Sequence, residues 1–331
     1  MKIAIVKLSA MGDIIHAMVA LQFIKKALPE AKIDWIVEES FKGILENNPH
    51  INQIITVNLK SIKQNKKEIF TQYKIIDAIG KNNYDVVIDA QGLLKSALVS
   101  WIIGSRVVGS FVAGFDRDSI REKVASFFYD KKVYIPYDKN TIDRNLRVIC
   151  EPLGIKVKKE EILVKEPFLF SNQFNIQHST FNIIFVVGAS KPNKIYPKEK
   201  FLEIAQKLQE KVLVVWGNQD EYETALWLSQ NSDYITLDEK GNLDNLKCKI
   251  QNASLVIGGD TGPTHIAWGM NIPSITIFGN TPAYRNTYET PINKIVKSNS
   301  VVNPLKLDKD DFSINEIDSN EIVAIARKLL K

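Results

Sequence analysis

The chain has 331 residues, 45% of them hydrophobic and 24% charged, with a formal net charge of +5. That length is generous for one domain and natural for two of about 150 residues, each able to bury its own core, which excludes a disordered chain. The two cysteines, Cys150 and Cys248, lie far apart and outside any CxxC spacing, which argues for a reducing compartment and against a zinc site. Lys7 and Asp13 break the only apolar run near the start, so a signal peptide is not expected. No uninterrupted apolar stretch reaches the ~18 residues of a membrane span, and a cytoplasmic protein is expected. The first 150 residues hold 22 Lys+Arg against 16 Asp+Glu, whereas the remainder is net −1. A basic front half suits an anionic partner. The excess is too dilute, and too poor in interleaved aromatics, for nucleic acid.

In chain order, Lys2–Val6 reads as a short buried strand, and 12–28 carries a helical apolar stripe. Ile33–Val37 and Asp85–Asp89 are the next strands. Residues 92–105 ("GLLKSALVSWIIGS") read as a buried helix, with contact to a bilayer surface as the alternative. Residues 152–172 turn irregular and charged, a crossing between domains. The pattern restarts with strands at Asn182–Val187, Val212–Trp216, Leu255–Ile257 and Ser274–Phe278. Strands alternating with helices predict two successive doubly wound α/β domains, facing each other across a cleft. The expected divisions are 1–155, a linker at 156–175, 176–312, and a C-terminal helix within 313–331. Ser313 and Glu316 have the spacing of a capping box for that helix, with Ile322, Ile325, Ala326 and Leu329 on one stripe.

Three loops at strand ends could carry chemistry. The first is "KLSAMGDIIHA", residues 7–17. A dinucleotide loop needs GxGxxG, but Gly12 stands alone and Asp13 would repel a phosphate, so a nicotinamide cofactor is excluded there. Asp13 is either a helix-start carboxylate complementing the dipole or a general base at the end of strand one. The second loop, 186–201, offers Gly188 and Ser190 for close approach to a phosphate, Lys191 and Lys194 for charge, and Pro197 as a helix opener. The third, "GGDTGPTHIAWG" at 258–269, reads as a strand–turn–helix joint. Pro263 suits the first helical position, Gly262 or Thr261 lies at or beside the N-cap, and His265 falls in the first turn. Such a helix start attracts anions, although an ordinary βα turn has the same spelling. The second and third loops together would wall one anion site.

Other spellings carry less. Asp116-Arg-Asp118 matches the DxD of some metal-dependent sugar-nucleotide enzymes, but no second acidic cluster accompanies it, and a metal is not expected. The histidines His16, His50, His178 and His265 show no ligand spacing, and neither cysteine has an adjacent base.

Taken together, "KLSAMGDIIHAMVAL", "IDAQGLLKSAL", "FDRDSIREKVASFFY", "KIYP" and "GGDTGPTHIAWG" resemble the lipopolysaccharide heptosyltransferases of glycosyltransferase family 9, in order over nearly the whole chain. "DAQGLLKSA" is more similar to the type I members than to type II. The resemblance implies a GT-B fold of two Rossmann-like domains, the front one for the acceptor and the back one for the donor. It implies inverting transfer of L-glycero-D-manno-heptose from its ADP donor to a Kdo residue of Kdo-lipid A, without metal or other cofactor. The work would be done at the cytoplasmic face of the inner membrane, by a peripheral protein. Asp13 matches the family's catalytic aspartate, with Gly12 beside it on the donor side and Lys194 as its catalytic partner. Lys194 matches a lysine on the donor phosphates, Ser190 adjoins it, and Glu221 falls at a ribose-binding glutamate. Asp260, Thr261, Gly262 and His265 match the donor loop, while Lys95, Arg121 and Arg144 fall at acceptor-side basic positions. Asn140 stands where the family pattern has histidine. The C-terminal helix would cross back to the front domain, as such tails do in this fold. Two alternatives stay open: a type II enzyme acting on an already heptosylated acceptor, and a non-catalytic nucleotide-sugar-binding protein.

Overall fold

Short runs of Ile and Val build two parallel sheets in the computed structural model, which describes residues 1–104, 108–172 and 181–331. The chain divides into two units, Met1–Phe168 and Leu169–Lys331.

In the first unit the strands are β1 (Lys2–Val6), β2 (Lys32–Glu38), β3 (Gln53–Val57), β4 (Val86–Asp89), β5 (Phe111–Phe115) and β6 (Lys131–Val133), in the order β3-β2-β1-β4-β5-β6. In the second they are β7 (Ile183–Val186), β8 (Val212–Val215), β9 (Ile235–Leu237), β10 (Leu255–Gly259), β11 (Ser274–Phe278) and β12 (Asn293–Lys297), in the order β12-β11-β10-β7-β8-β9. Read from the middle outwards the two orders are the same, and neighbouring strands pair in parallel throughout. The central strands β4, β7 and β8 are buried along their whole length, as expected for parallel strands covered by helices on both faces. Their apolar runs are therefore continuous instead of alternating.

This topology fixes where sites can form. Each sheet reverses its winding between its first and fourth strands, β1 and β4 in one unit, β7 and β10 in the other. Beyond the carboxyl ends of such a pair the connecting loops part to opposite faces and leave a crevice. The three loops singled out in the sequence all start at these strand ends.

Several expectations need correction. The tail has no capping box at Ser313. Residues Ser313–Glu316 form a single 3-10 turn, and the helix begins at Ser319, capped by Asp318, whose side chain accepts from Asn320 N. Ile317 is extended between the two, which separates them. That helix has Ile322, Val323 and Ala326 buried in the core of the second unit, against the helix Lys198–Leu208. The segment 156–168 of the expected linker belongs to the first unit and contains a short helix, Lys159–Leu163. Residues 173–175 of that linker, and His178, lie outside the described residues, as does Ser105 of the 92–105 stretch. Among the described residues no helix is long and apolar enough to cross a membrane.

Candidate active site

The second unit gathers its polar residues at the ends of β7 and β10. The helix Gly262–Gly269 starts directly after β10, with Thr261 as an extended N-cap whose side chain makes no hydrogen bond to the helix. Pro263 is the second helical residue, not the first. The first-turn N–H groups have no intrahelical acceptor, and the positive end of the helix dipole lies at that point. The two glycines before it are there for space. A Cβ on Gly258 would stand 2.6 Å from Val186 Cβ and 2.8 Å from Thr264 Oγ1, and one on Gly259 would stand 3.0 Å from the Lys194 carbonyl oxygen. β10 thus runs tightly against both β7 and the loop that follows β7.

Asp260 is the hub of this site. It is 6% exposed, and its Oδ2 accepts from Lys194 Nζ at 2.8 Å, Thr281 Oγ1 at 3.0 Å and Asn286 Nδ2 at 2.9 Å. Its Oδ1 lies 3.1 Å from His265 Nε2. Burial alone would push this carboxyl up, but the Lys194 ammonium, followed by the hydrogen bond and charge of His265, holds it well below the usual carboxylate range. The ionised carboxylate fixes the positions of Lys194 and His265 on either side of the helix start. Glu221 sits in the first turn of the helix Gln219–Gln230, accepting from Gly217 N at 2.7 Å and Asn218 Nδ2 at 2.8 Å. A Cβ on Gly188 would coincide with its carboxylate, so the glycine makes room for Glu221 beside the β7 loop.

In the first unit the corresponding loops follow β1 and β4. Gln91 Oε1 accepts from Leu8 N at 3.0 Å and Ser9 N at 3.1 Å, which ties the two loops together. Asp89 is fully buried and accepts from Tyr129 OH, Ser96 Oγ and the Gln91 and Gly92 amides. Gly92 takes φ +71°, and a Cβ there would meet Ile120 at 2.8 Å. The "DAQG" spelling is thus a scaffold for the turn that carries Asp13. Asp13 lies half-buried in the first turn of the helix Met11–Met18. Its Oδ2 accepts from Ala10 N at a long 3.4 Å, and Oδ1 accepts no hydrogen bond from the described residues. The first turn thus engages one carboxylate oxygen only, as half of a capping box.

A model of glycosyltransferase family 9 (heptosyltransferase) matches residues 72–311. The lipopolysaccharide heptosyltransferase 1 of Campylobacter coli is 38% identical, with 99% of each chain covered. The chain belongs to glycosyltransferase family 9. The lipopolysaccharide heptosyltransferase 1 of Escherichia coli K12 is 28% identical over 85% of this chain and 88% of its own. In fold, the chain is similar to the E. coli heptosyltransferase WaaC solved with ADP, at a TM-score of 0.82 and 24% identity, covering 99% of this chain and 100% of that one. It is also similar to the E. coli ADP-heptose lps heptosyltransferase II, at 0.73 and 17%, covering 100% and 98%. The two doubly wound units are those of the GT-B fold.

Within this family 9 enzyme the structure brings Lys194, Asp260 and His265 into contact and sets Glu221 against Gly188, while Ser190 lies exposed on the β7 loop. Lys95 and Arg121 are exposed in the first unit. Arg144 is not exposed. Its guanidinium donates to the carbonyl oxygens of Ile135, Pro136 and Ser119 at 2.6–2.9 Å and stacks near Phe115 and Tyr137. It braces the segment that carries Arg121. Asn140, at the position of the family's histidine, caps the helix Thr141–Cys150 by accepting from Ile142 N at 2.8 Å. Asp116 Oδ1 accepts from Asp118 N, Ser119 N and Ser119 Oγ, so the DxD spelling is a local turn.

Four residues escaped the sequence reading. Thr281 and Asn286 complete the shell of Asp260, but nothing in "NTPAYRN" marks them as ligands of a carboxylate 21 and 26 residues away. Lys7 is buried at the end of β1, donating to Ala90 O at 2.8 Å and Asn145 Oδ1 at 3.2 Å. Burial lowers its pKa, and the charges of Asp13 and Asp89 oppose that shift. Glu38, 1% exposed at the end of β2, has its pKa raised by burial against the pull of Lys95 and Lys60. A lysine or glutamate closing a buried strand was the signal available for both.

Proposed function

We propose that this enzyme transfers L-glycero-D-manno-heptose from ADP-heptose to a Kdo residue of Kdo-lipid A, with inversion, in lipopolysaccharide inner-core synthesis. The observation that carries the reading is full-length similarity to a heptosyltransferase 1, joined to an anion-receptive helix start and a carboxylate held by one long backbone hydrogen bond at the two switch points. The front unit takes the acceptor and the back unit the donor. Asp13 accepts the proton of the attacking Kdo hydroxyl as its oxygen bonds to the anomeric carbon, and the bond to the ADP oxygen breaks on the opposite side. Negative charge grows on the departing diphosphate. Lys194 and the start of the helix Gly262–Gly269 are arranged to receive it, with Gly262 and Thr261 at the helix tip and Ser190 alongside. Asp260 acts through Lys194 and His265 as a positioning residue, and Glu221 is oriented for the ribose. Such a charge arrangement needs no metal ion. Lys95 and Arg121 pair with the acceptor's carboxylates and phosphates. The enzyme works as a peripheral protein on the cytoplasmic side of the inner membrane, where its acceptor resides.

Similarity to heptosyltransferase 1 over the whole chain favours unsubstituted Kdo-lipid A over a heptosylated acceptor. Incubation of the purified protein with ADP-heptose and each acceptor, followed by mass spectrometry, tests this. Addition of one heptose to Kdo-lipid A is expected. Addition only to the heptosylated acceptor would make this a type II enzyme.

A further inference from the structure

The helix Leu94–Gly104 carries large apolar groups on its outer side as well as its inner one. Its buried side carries Ser96 and Ser100, both fully buried, with Ala97, Val99 and Ile103. Ser96 Oγ donates to Asp89, and Ser100 Oγ donates to the Ser96 carbonyl. The outer side carries Leu94, Leu98 and Trp101, which are 39%, 39% and 49% exposed and spaced four and three residues apart, so they form one stripe. An ordinary surface helix places its large apolar groups inward. The expectation of a simply buried helix is thus corrected.

The stripe does not stand alone. The helix packs against both the helix Glu68–Gly80 and the 3-10 segment Lys123–Phe128, and Trp101 meets Phe128 edge-on at 6.2 Å. Those flanking elements also turn apolar groups outward. Phe70 and Tyr73 are 72% and 54% exposed on one, and Val124 and Phe127 are 57% and 72% exposed on the other. Three adjoining elements of one unit therefore each expose large apolar groups, and exposed apolar groups gathered in this way mark interaction surfaces. The same elements expose basic groups: Lys63, Lys66, Lys67 and Lys74 on and before the first helix, and Lys123 on the 3-10 segment. Of the acidic groups there, Glu122 accepts from Leu94 N at 2.7 Å and Asp118 lies 4.0 Å from Lys123, while Glu68 and Asp77 remain on the first helix.

We infer that Phe70, Trp101 and Phe127 seat the first unit on a bilayer carrying anionic lipid headgroups, with the lysines around them contacting the headgroup charges. Exposed aromatic groups and lysines on the same elements fit the boundary between headgroups and acyl chains, where apolar burial and attraction to anionic lipid add. Lys95 lies in the first turn of the same helix, so the surface adjoins the basic residues assigned to the acceptor. This inference rests on the reading of the acceptor as a lipid for its biological purpose, but its test does not require turnover.

The test is co-sedimentation of the full-length protein, without acceptor, with vesicles of phosphatidylcholine alone or mixed with phosphatidylglycerol. At least tenfold stronger binding to the anionic vesicles is expected, weakening as salt is raised. The triple variant Phe70→Ser, Trp101→Ser, Phe127→Ser should bind the anionic vesicles about a hundredfold less. Its turnover of a deacylated, water-soluble Kdo acceptor should stay unchanged, which reports an intact fold. A second variant, Lys63→Glu with Lys67→Glu, should lose the preference for anionic vesicles while keeping its aromatic groups. Vesicle binding by the wild type that the triple substitution abolishes supports the surface even if no heptose is transferred; in that case only the functional reading falls. Failure of the wild type to sediment with anionic vesicles would overturn the inference, as would a triple variant that binds as well as wild type. So would a wild-type dimer that the substitutions split without any vesicle binding, because the surface would then cover a second copy of the chain.

Discussion

Replacing Asp260 by asparagine removes one negative charge from a site where nearly everything depends on it. The side chain is 6% exposed, and Lys194, His265, Thr281 and Asn286 all converge on it within 3.1 Å. Asparagine keeps the shape but has a single carbonyl oxygen, so one side of the group would set an NH2 against existing donors. Breaking a buried ion pair by removing one partner costs about 3–5 kcal/mol, and the retained oxygen places this case near about 3. In a unit of this size each kcal/mol moves Tm by about 2–4 °C, so a fall of roughly 6–12 °C in the transition of the second unit is expected. The pH dependence has a definite sign. The carboxyl is held below its ordinary value in the folded chain, so its contribution is complete above about pH 4, the value in an unfolded chain, and is lost as pH falls toward the folded value. Calorimetry should therefore show a gap between wild type and variant that persists at neutral pH and narrows in acid below about pH 4. Equal Tm values at pH 7, or a gap that widens on acidification, would refute the hub.

Gly258→Ala should lower stability by about 1–3 kcal/mol, because the new Cβ meets Val186 Cβ at 2.6 Å inside a packed sheet, and urea unfolding would read the loss directly. Lys95→Ala and Arg121→Ala should each raise the acceptor KM more than the donor KM in steady-state kinetics, since both are exposed on the front unit. Equal effects on the two substrates would make them structural. Activity should be unchanged in excess EDTA, and a strict need for added Mg²⁺ or Mn²⁺ would return Asp116 and Asp118 to consideration as ligands.

The sequence revealed the central strands and hid the outer ones, for a physical reason. β1, β4, β7, β8 and β10 are buried almost throughout and spell nearly continuous apolar runs, and β11 keeps Ile275, Ile277 and Phe278 around Thr276. β3, β6, β9 and β12 lie away from the centre of their sheets; two of them have only three residues, and lysines interrupt β6 and β12. β5 is disguised by Gly114, whose missing side chain leaves room for the Tyr129 ring 2.5 Å from where a Cβ would be. The site shows the same division. Asp13, Lys194 and the 258–265 loop were legible because strand ends and helix starts have local spellings. Thr281 and Asn286 were not, since their role arises only when β11 returns beside β10. The carbonyl oxygens of Ser119, Ile135 and Pro136 meet Arg144 only once β5 and β6 are paired, so its bracing of that segment has no local spelling. The outward stripe on the helix Leu94–Gly104 was hidden because Ala97, Val99 and Ile103 on its buried face make the segment apolar on both sides.

The most direct measurement of the account is the turnover of Asp13→Asn with ADP-heptose and Kdo-lipid A, alongside the affinity of the same variant for ADP by titration calorimetry. A positioned general base contributes roughly 10²–10⁴-fold, so kcat should fall by about that factor while ADP binding, assigned to the other unit, stays at the wild-type value. Wild-type turnover in the variant would contradict the assignment of Asp13 as the base, and with it the proposed mechanism.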